Sequence, residues 1–186
     1  MNITQQVFAA VLATSLFFNS YCYAFAANDN LAWSSWPSVG QAQLTVFIFD
    51  VYQSQLKTPS GYYSLAKDIT PHPLALSIDY QRNISQNQLL EATEEQWEKL
   101  GYQPEERSQW VDKLDQIFPD IQEGENLTYV TDGQSGYFYY LKASEQDPAL
   151  IGTIDDEHLN DAFLAIWLSP NTTYPDLRAQ LIGGTQ

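Results

Sequence analysis

Thiol chemistry is nearly absent from this chain: its one cysteine, Cys22, lies close to the N-terminus. A lone cysteine builds no disulfide framework and no thiolate metal cluster. Histidine is almost as scarce, and His72 and His158 are too few for a histidine-rich metal site. Cationic side chains are few as well, with 8 Lys and Arg against 23 Asp and Glu and a formal charge of −15. Phosphate backbones require a basic footprint, so nucleic acid is excluded as a partner, and anionic membrane surfaces are disfavoured for the same reason. Glycine-rich phosphate loops, a G-x-S-x-G elbow and an H-E-x-x-H helix are all missing. The acidic cluster Asp155-Asp156-Glu157 lacks the spaced oxygen ligands of a calcium loop and reads as the capped start of a helix. The N-terminal apolar stretch from Val7 to Phe18 is too short to span a bilayer, which needs roughly 20 residues.

What is present divides the chain in three. Residues 1–26 carry no charged side chain and end in Ala24-Phe25-Ala26, a small-x-small site. This predicts a signal peptide over 1–26, export to the periplasm, and a mature chain with no cysteine and no stable membrane span. A linker is expected over 27–40 and a single domain over 41–186. Aromatic residues make up 14% of the chain, including 12 Tyr and 5 Trp, ample for a well-packed core.

Periodicity supplies the elements. The run from Leu44 to Phe49 reads as a strand covered on both faces, interrupted by Asp50. In PLALSIDYQRNI, Leu74, Leu76, Ile78, Tyr80, Arg82 and Ile84 share one face of a strand. Ser85-Gln86-Asn87-Gln88 is a capping box opening a helix with Leu89, Ala92, Thr93, Trp97 and Leu100 inward, closed by Gly101. A second helix starts near Pro104 and buries Trp110, Val111, Leu114, Ile117 and Phe118. Strands follow at ENLTYVT, GYFYYLKA and ALIGTI. Asp155 is expected to cap a third helix, with Leu159, Ala162, Phe163, Ile166 and Trp167 as its core face. In the polar turn after Trp167, Thr173 is the expected cap of a last helix that carries Arg178 on its exposed side. Strands, two helices, strands, two helices is an α+β order: a mostly antiparallel sheet with helices layered on one face.

Few residues could carry chemistry. Arg82 on an apolar strand face must either pair with a carboxylate (Asp50 or a glutamate of the next helix), reach water, or anchor a ligand carboxylate at the mouth of an apolar pocket. Tyr52 and Tyr80 would be its hydroxyl partners, and Trp97 and Trp167 either pocket walls or plain core. His72, between two prolines, and His158, in a first helical turn, are either exposed side chains or an axial ligand to a haem.

The segments VFIFDVYQSQL, PLALSIDYQRNISQNQLLEATEEQWEKLGY, GYFYY and DEHLNDAFLAIWLSPNTTYPDLRAQLIG resemble the bacterial chalcone isomerase-like proteins over nearly the whole mature chain. The resemblance implies an open-faced β-sandwich. It also implies one of three activities: cyclisation of chalcones, as in the plant enzymes, fatty-acid binding, or haem binding. The plant enzymes use a strand arginine, a tyrosine and an asparagine on the first long helix, and a threonine before the C-terminal turn. At those positions this chain has Gln43 or Leu44, Gln88, Glu95 and Ile166. The implied protein is a non-catalytic binder of a small apolar or carboxylate-bearing ligand, with no cofactor. Haem binding and a chalcone isomerase with a rearranged site are the alternatives.

Overall fold

Leu74, Leu76, Ile78 and Tyr80 alternate with smaller or polar residues, and this period of two makes the middle of a sheet with one deeply buried face. A computed structural model of the protein describes residues 29–46, 49–65 and 68–184. Its sheet has six strands: β1 (Ser38–Val46), β2 (Phe49–Lys57), β3 (Leu74–Tyr80), β4 (Asn126–Thr131), β5 (Gly136–Leu141) and β6 (Ala149–Ile154). They follow one another in sheet order β1 to β6, every neighbouring pair antiparallel. Helices α1 (Gln86–Leu100) and α2 (Pro104–Asp115) connect β3 to β4, and α3 (Glu157–Leu168) and α4 (Pro175–Leu181) follow β6. The expected α+β order and the open-faced arrangement are what the structure has.

The register aligns large side chains into rows across the inner face. Leu56, Leu76, Tyr129 and Phe138 lie opposite one another on successive strands and are buried, as are Ile78, Leu127 and Tyr140 at the next level and Tyr52 and Tyr80 beyond it. Against these rows lies α3, which is buried around most of its circumference, from Leu159 and Asn160 to Ala162–Leu168. Leu90 and Trp97 of α1 and Trp110 and Leu114 of α2 close the core over it. Helix α4 lies along β1, where the Gln180 and Leu181 carbonyls approach Gly40 so closely that a Cβ there would overlap them.

Several expectations are corrected. The segment Leu44–Phe49 is no continuous strand: β1 ends at Val46, which pairs antiparallel with Phe49 at the start of β2, and no Gly, Pro or Asn in the sequence between them marks the break. Val46 and Phe49 are both exposed. The stretch expected as a linker is folded from Asp29 on, with a 3₁₀ helix over Asp29–Ser35 and Trp33 buried on the outer sheet face against Ala75 and Tyr139. In α1 the buried side chains are Leu90, Thr93, Gln96 and Trp97, whereas Ala92 is exposed and Leu89 half-buried. The cap of α3 is Asp156, which accepts from the backbone N–H groups of His158 and Leu159. Thr173 does not cap α4: its hydroxyl donates to the Gln96 side chain. Nor does Arg178 lie outward, because its Nε donates to the Leu168 carbonyl at 2.7 Å and satisfies the C-terminal end of α3. The expected signal peptide, 1–26, lies outside the described residues. Among the described residues no helix is long and apolar enough to cross a membrane.

Candidate functional site

The helix layer does not seal the sheet completely. Near the Tyr80 end of β3 a cavity of about 360 Å³ opens between the inner sheet face, α1 and α3, within the size range of small-molecule sites. Leu44, Ile78, Leu89, Phe118, Phe163 and Ile166 form most of its apolar wall. This explains the rotated burial of α1, since Leu89 and Ala92 face the cavity instead of packed neighbours.

Four of the five ligand-contact residues expected from sequence meet there, and one does not. Tyr52, Tyr80, Arg82 and Trp167 all line the cavity. Tyr52 and Tyr80 are directly opposite in the β2–β3 register, their rings edge to face at 6.0 Å. The Trp167 indole N–H donates to the Tyr52 hydroxyl at 2.9 Å. Burial raises both phenols well above their ordinary range, for Tyr52 against a smaller opposing effect of the Trp167 hydrogen bond. Both therefore stay neutral O–H groups at physiological pH. Trp97 is fully buried outside the cavity, with its indole N–H on the Ala162 carbonyl at 2.8 Å and its ring against Trp110. It is a pillar joining α1 to α3, not a wall of the site.

Arg82 sits past the end of β3, exposed at the cavity mouth, its guanidinium 5.6 Å from the centre of the Phe49 ring. That is a cation–π contact at an exposed site. Of the carboxylates expected as its partners, Asp50 instead accepts from the Thr45 hydroxyl at 2.7 Å. Glu95, also at the mouth, pairs with Lys99 at 2.6 Å. Arg82 has no ion-pair partner among the described residues.

Neither histidine reaches the cavity. His72 Nδ1 lies 3.1 Å from the Pro73 carbonyl with its ring near Tyr63. His158 packs against Trp110 and Tyr102, 3.7 Å from Glu106. No imidazole among the described residues can therefore ligate a haem lodged in this cavity, and no group of three or more His, Cys, Asp or Glu is placed to hold a metal ion. Sequence reasoning missed Gln96, which is buried, lines the cavity and accepts from Thr173. Its signal was position: Gln96 falls four residues after Ala92 and three after Thr93, on the inward stripe.

The model described as chalcone isomerase-like matches residues 40–183, from the third residue of β1 to just beyond α4. The chain belongs to the chalcone isomerase-like family. A protein of uncharacterised function from Haemophilus influenzae is 29% identical to it over 151 residues, which span 81% of this chain and 70% of that protein. In this chalcone isomerase-like protein, Leu44, Gln88, Glu95 and Ile166 all line the cavity. Gln43 lies elsewhere, donating to the Tyr52 carbonyl and the Gln81 side chain.

Proposed function

We propose that this chalcone isomerase-like protein is an exported, periplasmic binding protein that holds a small, largely apolar ligand between sheet and helices without transforming it. The observation that carries this reading is the cavity itself: apolar walls, a few polar groups at its buried end and one unpaired guanidinium at its mouth. Water gains little from such walls, so an apolar body entering them is stabilised by the area it removes from solvent. Arg82 suits a carboxylate left at the rim, as on a fatty acid, because guanidinium binds carboxylates in a planar fork. The reading without turnover is supported by the side chains at the positions where the resemblance places the catalytic groups. Leu44 and Ile166 have no donor to stabilise a developing oxyanion. Export rests on the uncharged N-terminal segment and its Ala24-Phe25-Ala26 site.

Ala92 offers a direct test, being exposed on α1 yet part of the cavity wall. Ala92→Trp is expected to narrow the cavity while leaving the buried core residues in place. Wild-type protein titrated with cis-parinaric acid is expected to give a saturable rise in probe fluorescence, which Ala92→Trp abolishes while its melting temperature stays within a few degrees. Saturable uptake that persists unchanged in Ala92→Trp would place the ligand elsewhere and overturn the reading.

A further inference from the structure

Tyr80, Tyr52 and Gln96 are only 6%, 9% and 8% exposed, and all three line the cavity. Their hydrogen-bonding capacity is unevenly spent. The Tyr52 oxygen accepts from Trp167, and the Gln96 oxygen accepts from Thr173. The Tyr52 O–H, the Tyr80 O–H and the Gln96 amide N–H₂ have no acceptor among the described residues. These donors face the cavity and not packed protein, so whatever fills it, water or ligand, supplies their acceptors. From this accounting, and resting on the binding function proposed above, we infer that Tyr80 and Tyr52, with Gln96 as a third donor, bind an uncharged carbonyl or hydroxyl oxygen carried on the ligand's apolar body.

An anionic head is not what these donors select. Burial keeps both phenols protonated, and the same loss of water penalises any carboxylate brought beside them. The cation that could compensate, Arg82, is exposed at the mouth. The two ends therefore differ in chemistry, with a charged group tolerated at the rim and a neutral oxygen acceptor at the buried end. Such a site discriminates by the cost of leaving its donors unpaired when the acceptor is missing.

Calorimetric titration of wild type, Tyr80→Phe, Tyr52→Phe and Arg82→Gln with 2-decanone and with decanoate separates the two ends. Tyr80→Phe keeps the ring and breaks no hydrogen bond, so its melting temperature should match wild type; Tyr52→Phe keeps the ring but leaves the Trp167 indole N–H without its acceptor and should melt somewhat lower. Tyr80→Phe and Tyr52→Phe are expected to weaken 2-decanone by about tenfold, one hydrogen bond's worth, and decanoate by less than about threefold. Arg82→Gln is expected to weaken decanoate and spare the ketone. Ketone affinity within about twofold of wild type in both tyrosine variants, or decanoate weakened as strongly as the ketone, overturns the inference. If wild type takes up cis-parinaric acid in an Ala92→Trp-sensitive manner while the tyrosine variants do not discriminate, only the donor assignment falls. If wild type binds none of the three probes, the binding function falls with it.

Discussion

At the residue scale, Asp161 near the start of α3 is an instructive carboxylate because it is not part of the cavity lining and is only half-buried. It accepts from the Thr70 hydroxyl, which in turn accepts from the Asn160 amide at 3.0 Å, and Asn160 takes the Tyr129 hydroxyl at 2.7 Å. This chain of hydrogen bonds ties the loop before β3 to the central helix and the sheet. Partial burial, with Asp68 as a hydrogen-bonding carboxyl neighbour, raises Asp161 to about 6 against the opposing Thr70 bond. A carboxyl raised in the folded state binds its proton more tightly there than in the unfolded chain. Its stabilising contribution is therefore complete below about pH 4 and lost as pH rises through 6. Asp161→Asn keeps an acceptor for Thr70 and removes the charge. Thermal melts should show it more stable than wild type at pH 7.5 and level with it at pH 4. An equal difference at both pH values would show that the charge is not the cause.

At the scale of elements, the caps separate what is local from what is not. Helix α1 begins as its sequence predicts: the Ser85 hydroxyl accepts from the Gln88 N–H while the Gln88 side chain accepts from the Ser85 N–H. It ends as predicted too, at Gly101 in the left-handed region (φ 90°). Both motifs depend on residues within four positions, so composition alone reveals them. Ser85→Ala should cost about 1 kcal/mol, read as a lower urea midpoint with an unchanged slope. The turn between α3 and α4 was less legible because its side chains are claimed by other elements. Thr172 donates to the Ile166 carbonyl, Thr173 to Gln96 of α1, and Arg178 reaches back to Leu168. The break between β1 and β2 is hidden for a different reason: no turn-forming residue lies between Val46 and Phe49 in the sequence, so the apolar run reads as unbroken.

At the scale of the whole molecule, the fold is wider than the region matched by the family. That match starts at residue 40, yet the 3₁₀ helix before it brings Trp33 onto the outer sheet face, 5.6 Å from the Tyr139 ring. The sheet thus has two apolar clusters, a large one under the helices and a small one beneath this N-terminal segment. Ala75 of β3 is buried for that reason, although it lies on the face opposite Leu74 and Leu76. Trp33→Ala should cost about 3 kcal/mol, the scale of emptying a buried tryptophan site, measured by urea unfolding. A loss below about 0.5 kcal/mol, as at an ordinary surface position, would show the segment to be dispensable.

Periodicity and local capping alone specified the α+β order, the buried face of β3 from Leu74 to Tyr80, Trp110 and Leu114 of α2, the buried face of α3, the caps of α1 and the resemblance that the family match then bore out. These are properties of periodicity and of side chains acting on their own backbone, which few neighbours can override. The sequence also named Arg82, Tyr80, Tyr52 and Trp167, because a cation and phenols on an apolar face must find partners. That these four share one cavity, that Trp97 and both histidines stand outside it and that Gln96 belongs to it became visible in the packed fold alone. The reason is geometric: a cavity is the gap left where α1 and α3 fail to meet the sheet, and that gap depends on residues distant in the chain whose packing no local pattern encodes.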